Sequence, residues 1–509
     1  MGHCRQAVRI RMLAITVRPP TGNGSTHPCP RCCPYARGMD ATAQTIGRAT
    51  IATYAIGSLG TGGFATLPGL VLVYYLTDSL GVAALAAGLV VTLAKIWDVV
   101  IDPVIGTRSD QSLAATGSRR RFMVLGAALL PVFFVLTFAV PGGMSPLVAV
   151  IWVTIAFMAC ATAFSLFQVP YIALPAELAS RYDDRTRLLT WRVVVLTLAI
   201  LLFGAGGPAL RELGGGNDQL GYLVMAVAAA IVIGGGMLVA SGVAPRHVPP
   251  ASARPQASVI HSYAGGVRAL RRSQPFRALL ATFVLQGLAT GLMLAGAQYV
   301  ATWVLDSEIA VTLLFVALIA PALLVAPLWG MLARRIGKER GFSIASALFL
   351  LAVATITLQL WMPGEWIYAP VAIAGAAYAG MQSLPMAMLP DVISHDAHAH
   401  GDGNAGIFGG LWTAGETAGM GLGATVLTIL LAVTGYTESV SGEQVAQSAS
   451  AVTGIVLSFS VVPAAIMVVS LVTLSRYRLR RTDVDVPPEA PVGPSGPVAG
   501  IPTDQKATE

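Results

Sequence analysis

Between residues 47 and 475 the chain alternates long apolar runs with short polar loops. The runs fall approximately at 47–77, 81–106, 121–140, 146–171, 188–208, 220–243, 277–303, 309–333, 341–361, 365–389, 404–434 and 450–475. Each is close to or above the roughly 20 residues that a helix needs to cross a hydrocarbon core. In lipid a backbone finds no water to bond, so a single crossing segment has to be a helix. The pattern predicts an all-α membrane protein of twelve transmembrane helices, spans 1 to 12 in chain order.

The polar positions between the runs set the orientation. One side takes Arg108 and Arg119 to Arg121, then Arg181, Arg185 and Arg187, then Arg334, Arg335, Lys338 and Arg340, and finally Arg476 to Arg481. The other side holds Asp78, Asp306, Glu308, Glu365, Glu438 and Glu443, with Arg211 as its one basic residue. Basic loops stay cytoplasmic, so both termini are expected inside, in a multi-pass protein of the cell (inner or plasma) membrane. The longest internal loop, 244–276, is polar and Pro-containing and divides the spans six and six. The domain reading is an arm at 1–46 and a six-helix bundle at 47–243, then a linker at 244–276. A second bundle follows at 277–475, with a tail at 476–509. Arm and tail are too rich in Pro and Gly to pack and read as disordered.

Composition agrees and removes other classes. Of 509 residues 55% are hydrophobic and 11% charged, against about 25% charged in soluble domains. The net charge of +7 comes from short loops without interleaved aromatics, so no nucleic-acid partner is expected. Cys4, Cys29, Cys32, Cys33 and Cys160 make neither a disulfide framework nor a zinc site with paired ligands. No nucleotide-binding, triad or zinc-protease pattern stands in a suitable context. The chain is not expected to be an enzyme or to carry a metal or cofactor. Its expected partners are the bilayer, a small solute and a coupling cation, and it is expected to act as a monomer.

Inside the runs, polar residues are rare, which makes Lys95-Ile-Trp-Asp98-Val-Val-Ile-Asp102-Pro103 conspicuous. At i, i+3 and i+7 the three charges share one face of span 2. Charges at membrane depth face a bundle interior and mark ion or substrate paths. A structural salt bridge of Lys95 with one Asp would leave the other carboxylate without a partner. Landmarks recur six spans apart: Pro103-x-x-Gly106 and Pro327-x-x-Gly330, Gly117 to Phe122 and Gly337 to Phe342, and Pro170 to Glu177 and Pro385 to Asp391. Parallel repeats of six helices belong to major facilitator carriers, whose site lies at the midplane between the halves. Counted back from Pro327, the equivalents of Asp98 and Asp102 are Ala322 and Ala326, so only the first half carries the pair. Two carboxylates one turn apart suit Na⁺, H⁺ or Li⁺, because a bound cation or proton relieves their repulsion.

The span-2 stretch resembles the second-helix signature of the glycoside–pentoside–hexuronide:cation symporters, the melibiose permease-like carriers of the major facilitator superfamily. Further matches are Tyr74-Tyr75-Leu-Thr-Asp78, Pro170-Tyr-Ile-Ala-Leu-Pro-Ala-Glu177, Asp183 to Arg192, Pro390 to Asp396 and Gly406 to Trp412. The resemblance implies that Asp98 and Asp102 are the cation ligands, assisted by a span-4 hydroxyl at Ser165. It also implies that Arg192 lies close to the sugar. The chain departs from the family where Gly62 and Gln168 replace the two sugar-binding acids and Glu416 replaces a span-11 lysine. Gln168, Gln298 and Gln382 are left as candidate glycoside contacts.

The expectation is therefore sugar or glycoside symport driven by Na⁺ or H⁺ through alternating access. One alternative is the same fold carrying a lysophospholipid, drug or other amphiphile, including export against H⁺. Another is a non-transporting membrane receptor or scaffold. Asp110, Arg119, Arg120, Glu177, Asp183, Arg185 and Asp391 at the basic ends read as gating charges, with Lys95 neutralising the empty site. His395, His398 and His400 read as a solvated loop, and Gly419, Gly421 and Gly423 as packing positions.

Overall fold

Span 2 shows how the sequence becomes architecture. A computed structural model describes residues 46–179, 182–215, 217–245, 270–307, 309–400, 405–440 and 445–479, without the side chains at 176, 182, 183, 185, 186, 397–400 and 405–407. Span 2 is one helix, Ala84–Thr116, running ten residues past the end of its apolar run at 106. Hydropathy marks where lipid ends, whereas the helix ends where the backbone turns. That turn is Gly117, at φ +68°, whose N–H donates to Leu113 O (2.8 Å). Gly337 (φ +97°) closes span 8, Ala310–Ile336, in the same way, donating to Ala333 O (3.0 Å). The glycine that opens each repeated basic loop thus sits in backbone that L side chains avoid.

Among the described residues eleven helices are long and apolar enough to cross a membrane. A further long helix, Tyr368–His400, stands at span 10, where Gln382, Ser383, Pro385, Pro390 and Asp391 interrupt the apolar run. It packs on spans 8 and 9. The helix continues through His395, which corrects the loop expected there: between Pro390 and Gly401 no breaker stops it, while the side chains of His398 and His400 lie outside the described residues. Span 1 is two helices, Arg48–Ile56 and Ser58–Tyr74, ending in a π turn, Tyr75–Ser79. Span 12 is broken at Ser460 into Ala449–Phe459 and Val461–Ser475. The arm before residue 46, most of the 244–276 linker and the tail after 479 lie outside the described residues.

Spans 1 to 6 pack mainly among themselves, as do spans 7 to 12. The seam between the two sets is made by span 2 on span 11, span 5 on span 8 and span 1 on span 7. Adding six to each number exchanges the first two pairs and leaves the third unchanged, as parallel repeats about an axis along the membrane normal require. Small residues let the crossings close. A Cβ on Gly126 of span 3 would lie 2.7 Å from Phe167 N of span 4, and one on Gly419 of span 11 would lie 2.6 Å from Val284 O of span 7.

The two ends of the bundle are held differently. At the acidic end, polar bonds cross the seam: Thr312 Oγ1 donates to Ala205 O (3.0 Å) and Ala84 N to Glu438 Oε1 (2.9 Å). At the basic end the ion pairs among the described residues each stay within one set of six. Arg119 bridges Asp110 and Glu177, Lys338 pairs with Asp391, and Arg272 pairs with Asp396. Among the described residues these polar bonds cross the seam at the acidic end, while the ion pairs of the basic end stay within one set.

Candidate functional site

The span-2 charges do share a face, but they do not share a partner. Lys95 Nζ lies 3.1 Å from Asp98 Oδ2. Asp98 Oδ1 and Asp102 Oδ1 are buried and accept no hydrogen bond from the described residues. Asp98 is 7% exposed, and the hydroxyl of buried Ser165, from span 4, stands against the Asp102 carboxyl. Trp97 Nε1 donates to Thr162 Oγ1 of span 4 (2.8 Å), which fixes the two helices at this level. Spacing of about 5–6 Å one turn apart puts the repulsion between two ionised carboxylates near 3 kcal/mol at an effective dielectric constant of about 20. Two orphaned carboxylate oxygens and a hydroxyl form an oxygen donor set of the kind hard cations take. Lys95 offsets one of the two charges, and its stem crosses the seam to lie against Gly421 of span 11.

A second group sits between spans 1, 4 and 5. Gln168 Oε1 accepts from Thr61 Oγ1 (2.8 Å). Three residues on, Tyr171 stacks on Tyr54 (ring centroids 4.7 Å apart) and on Phe167 (5.0 Å), and the Arg192 guanidinium lies over the Tyr171 ring at 5.4 Å. Tyr171 gives its hydroxyl proton to Tyr54 O (2.8 Å), so Ser58, at 3.1 Å, donates to Tyr171. Arg192 Nε is buried without a partner. Among the described residues no acid makes an ion pair with the guanidinium, which lies against Tyr171. Thr61 and Tyr171 were not singled out in the sequence, where they look like ordinary span residues.

The remaining candidates are scattered. Glu416 of span 11 lies beside Tyr378 of span 10, which also contacts Gln382. Gln298 is near the acidic end of span 7 and donates to Thr302 (3.3 Å), with Oε1 buried and unpartnered. Gly62 joins neither group. It is buried on span 5, where a Cβ would lie 2.7 Å from the Ala199 Cβ, so it is a helix-contact position. Among the gating charges, Arg119 Nε donates to Glu177 (2.7 Å) and its Nη1 to Ser109 (3.2 Å). Arg120 adds a backbone bond to Ser118 Oγ (3.1 Å), and among the described residues its side chain makes no ion pair. Lys338 Nζ meets Asp391 at 2.5 Å. The side chains of Asp183 and Arg185 lie outside the described residues.

Asp78 corrects the sequence reading. The sequence places it in an acidic loop between spans, yet it lies in the helix of span 1 and is 6% exposed. The helix of span 1 runs on through the π turn, and Tyr436 from beyond span 11 covers the carboxylate. Its signal in the sequence is the Tyr-Tyr-x-Thr-Asp run, polar residues closing an apolar segment with no break before them.

The fold is similar to that of a solved bacterial homolog of the human lysosomal transporter Spinster in an inward-facing, occupied conformation (TM-score 0.61, 14% identity, covering 86% of this chain and 97% of that one). Among curated proteins the chain is similar to the glucuronide carrier protein homolog of Escherichia coli (strain K12). The two are 24% identical over 86% of this chain and 93% of that protein. It is also similar to the sodium-dependent lysophosphatidylcholine symporter 1 of Mus musculus, 24% identical over 71% and 73% respectively. A family model described as MFS/sugar transport protein matches residues 53–481, and the chain belongs to that family of transporters.

Proposed function

We propose that the protein is a symporter that uses a Na⁺ or H⁺ gradient to accumulate a glycoside-like solute, with Asp98, Asp102 and Ser165 holding the cation. The observation that carries this is the pair of buried, unpartnered carboxylate oxygens on one face of span 2. The names of the relatives, a glucuronide carrier homolog and a sodium-dependent symporter, agree with it. No cofactor is involved beyond the coupling ion. By the positive-inside rule we place the basic end in the cytoplasm, in the cell membrane, and the bonds across the seam at the acidic end support reading this as an inward-facing state. Here Lys95 stands in for the cation at Asp98. Arrival of the cation displaces the ammonium, whose stem lies on Gly421 across the seam, so cation occupancy and the fit of the halves change together.

Gln168, Thr61 and Arg192 offer donors and an acceptor to solute hydroxyls on one side, with Gln382 and Glu416 on the other and Gln298 toward the outer end. Arg119, Asp110, Glu177, Lys338 and Asp391 tie loops to helix ends within each half, which lets each half move as a body. A second reading has one specific support. Gly62 and Gln168 leave the first half of the pocket without the family's acids, and one relative is named for lysophosphatidylcholine, so an amphiphile is the alternative cargo. Uptake into proteoliposomes separates the two: a panel of labelled glycosides and a lysophospholipid, each under an imposed Na⁺ or proton gradient. Accumulation of a glycoside supports the first reading, and accumulation of the lysolipid alone replaces it with the second.

A further inference from the structure

At the acidic end one carboxylate of span 1 collects donors from the other half of the molecule. Tyr436 OH donates to Asp78 Oδ1 and Thr77 Oγ1 to Oδ2, both at 2.5 Å. Thr77 has a single proton and gives it to Asp78, so Tyr299 OH, 2.6 Å away, donates to Thr77. Tyr436 likewise gives its proton away and receives one from Trp303 Nε1 (2.9 Å). Two relays, Tyr299 to Thr77 and Trp303 to Tyr436, thus converge on Asp78 from span 7, the second through the segment that follows span 11. The backbone follows: Ser439 N donates to Thr77 O (3.1 Å), Ser439 Oγ to Asp78 O (3.2 Å), and Leu80 forms a bridge with Val440. Among the described residues no basic side chain makes an ion pair with Asp78.

This cluster is separate from the cation site. Asp98 lies fourteen residues along span 2 from Ala84, roughly 21 Å at about 1.5 Å per residue. The donors that reach across the seam come from the second half, and the relays end on a carboxyl group of the first. Separating the halves at this end would break both relays and admit water, which hydrates a carboxylate well. The bonds therefore favour one arrangement without making the other inaccessible.

We propose that Asp78 is a latch, a positioning residue for the transport cycle, that closes the outer end by accepting from Tyr436 and, through Thr77, from Tyr299. The proposal rests on the alternating-access reading. An element of this kind acts by shifting the balance of two states, and one net hydrogen bond is worth up to about a tenfold shift.

The test is accessibility rather than uptake. Leu294 of span 7 packs against Gly69 of span 1 beneath the latch. Leu294→Cys is made in full-length protein with Cys160 and the four arm cysteines replaced, and reacted from outside with a charged, membrane-impermeant maleimide. Tyr436→Phe, which keeps the ring against Tyr299 and Trp303 but removes the donor, is expected to raise the labelling rate about tenfold. Asp78→Asn should do the same, and the double variant should exceed the larger single effect by less than about twofold, since both break one device. Unchanged labelling in Tyr436→Phe, or multiplicative effects in the double variant, would overturn the latch. Should Asp78→Asn not fold, Tyr436→Phe decides alone. A wild-type protein that transports nothing, while its labelling still responds to Tyr436→Phe, would instead sink the transport reading and leave the latch standing.

Discussion

Spans 2 and 8 occupy equivalent places in the two repeats and share their framework. Both carry a Pro-x-x-Gly near the basic end, both stop at a glycine with positive φ, and both lie on the seam. They differ in what they bury. Span 2 places Asp98 and Asp102 where span 8 places Ala322 and Ala326, and Ala322 is buried without any polar requirement. The fold evidently needs the proline, the glycine and the small cross-section, since it builds span 8 with those alone. The carboxylates are extra, and they are costly at membrane depth, which is the physical ground for assigning them to transport rather than to architecture.

That contrast can be broken most severely at the carboxylates. Asp98→Asn and Asp102→Asn should each weaken apparent cation affinity about 100-fold, or about 2.8 kcal/mol at about 1.4 kcal/mol per decade. Ala326→Asn should leave it unchanged; cation-dependent solute binding by calorimetry measures all three. The loops that follow the two spans offer the next test. Arg119 holds Asp110 and Glu177 with its side chain 12% exposed, whereas Lys338 holds Asp391 at 41%. Arg119→Gln strands two partly buried acids and should cost about 2 kcal/mol of stability. Lys338→Met should cost less than about 1 kcal/mol. Thermal unfolding in detergent compares them.

Lys95→Met removes the ammonium that competes at Asp98 and should tighten cation binding about tenfold, while slowing return of the empty carrier; binding and exchange assays separate the two effects. The smallest effect concerns pH. Burial raises the Glu177 carboxyl above its ordinary 4.5, against the pull of Arg119. The folded chain then binds this proton before the unfolded chain does, so stability rises as pH falls from the raised value toward 4.5. Glu177→Gln should flatten that part of the melting profile, and an unchanged slope would contradict the assignment.

Much of this was legible in the chain because lipid imposes a one-dimensional code. Apolar length gave the spans, loop charge their alternation, and the recurring glycines the repeat. The code fails where helices leave lipid: it ended span 2 near Gly106 and span 10 near Leu389, although the helices run on to Thr116 and His400. It also fails for tertiary burial. Asp78 looked like a loop acid because its cover, Tyr436, lies 358 residues away. Within the site, spacing put Lys95, Asp98 and Asp102 on one face but could not say that Lys95 turns to Asp98 and leaves Asp102 to Ser165. Nor did spacing reveal Thr61 on Gln168 or the tyrosine that carries Arg192, since those contacts join helices far apart in the chain. Gly62 was selected by position in a motif, and only the packing on Ala199 shows what occupies its side.

The central claim is that the span-2 carboxylates power transport. It is tested most directly by solute uptake in proteoliposomes containing Asp98→Asn or Asp102→Asn protein under an imposed Na⁺ or proton gradient. The account predicts that accumulation against a gradient is lost in both, while downhill exchange of the same solute persists. Accumulation at the wild-type level in both variants would contradict it.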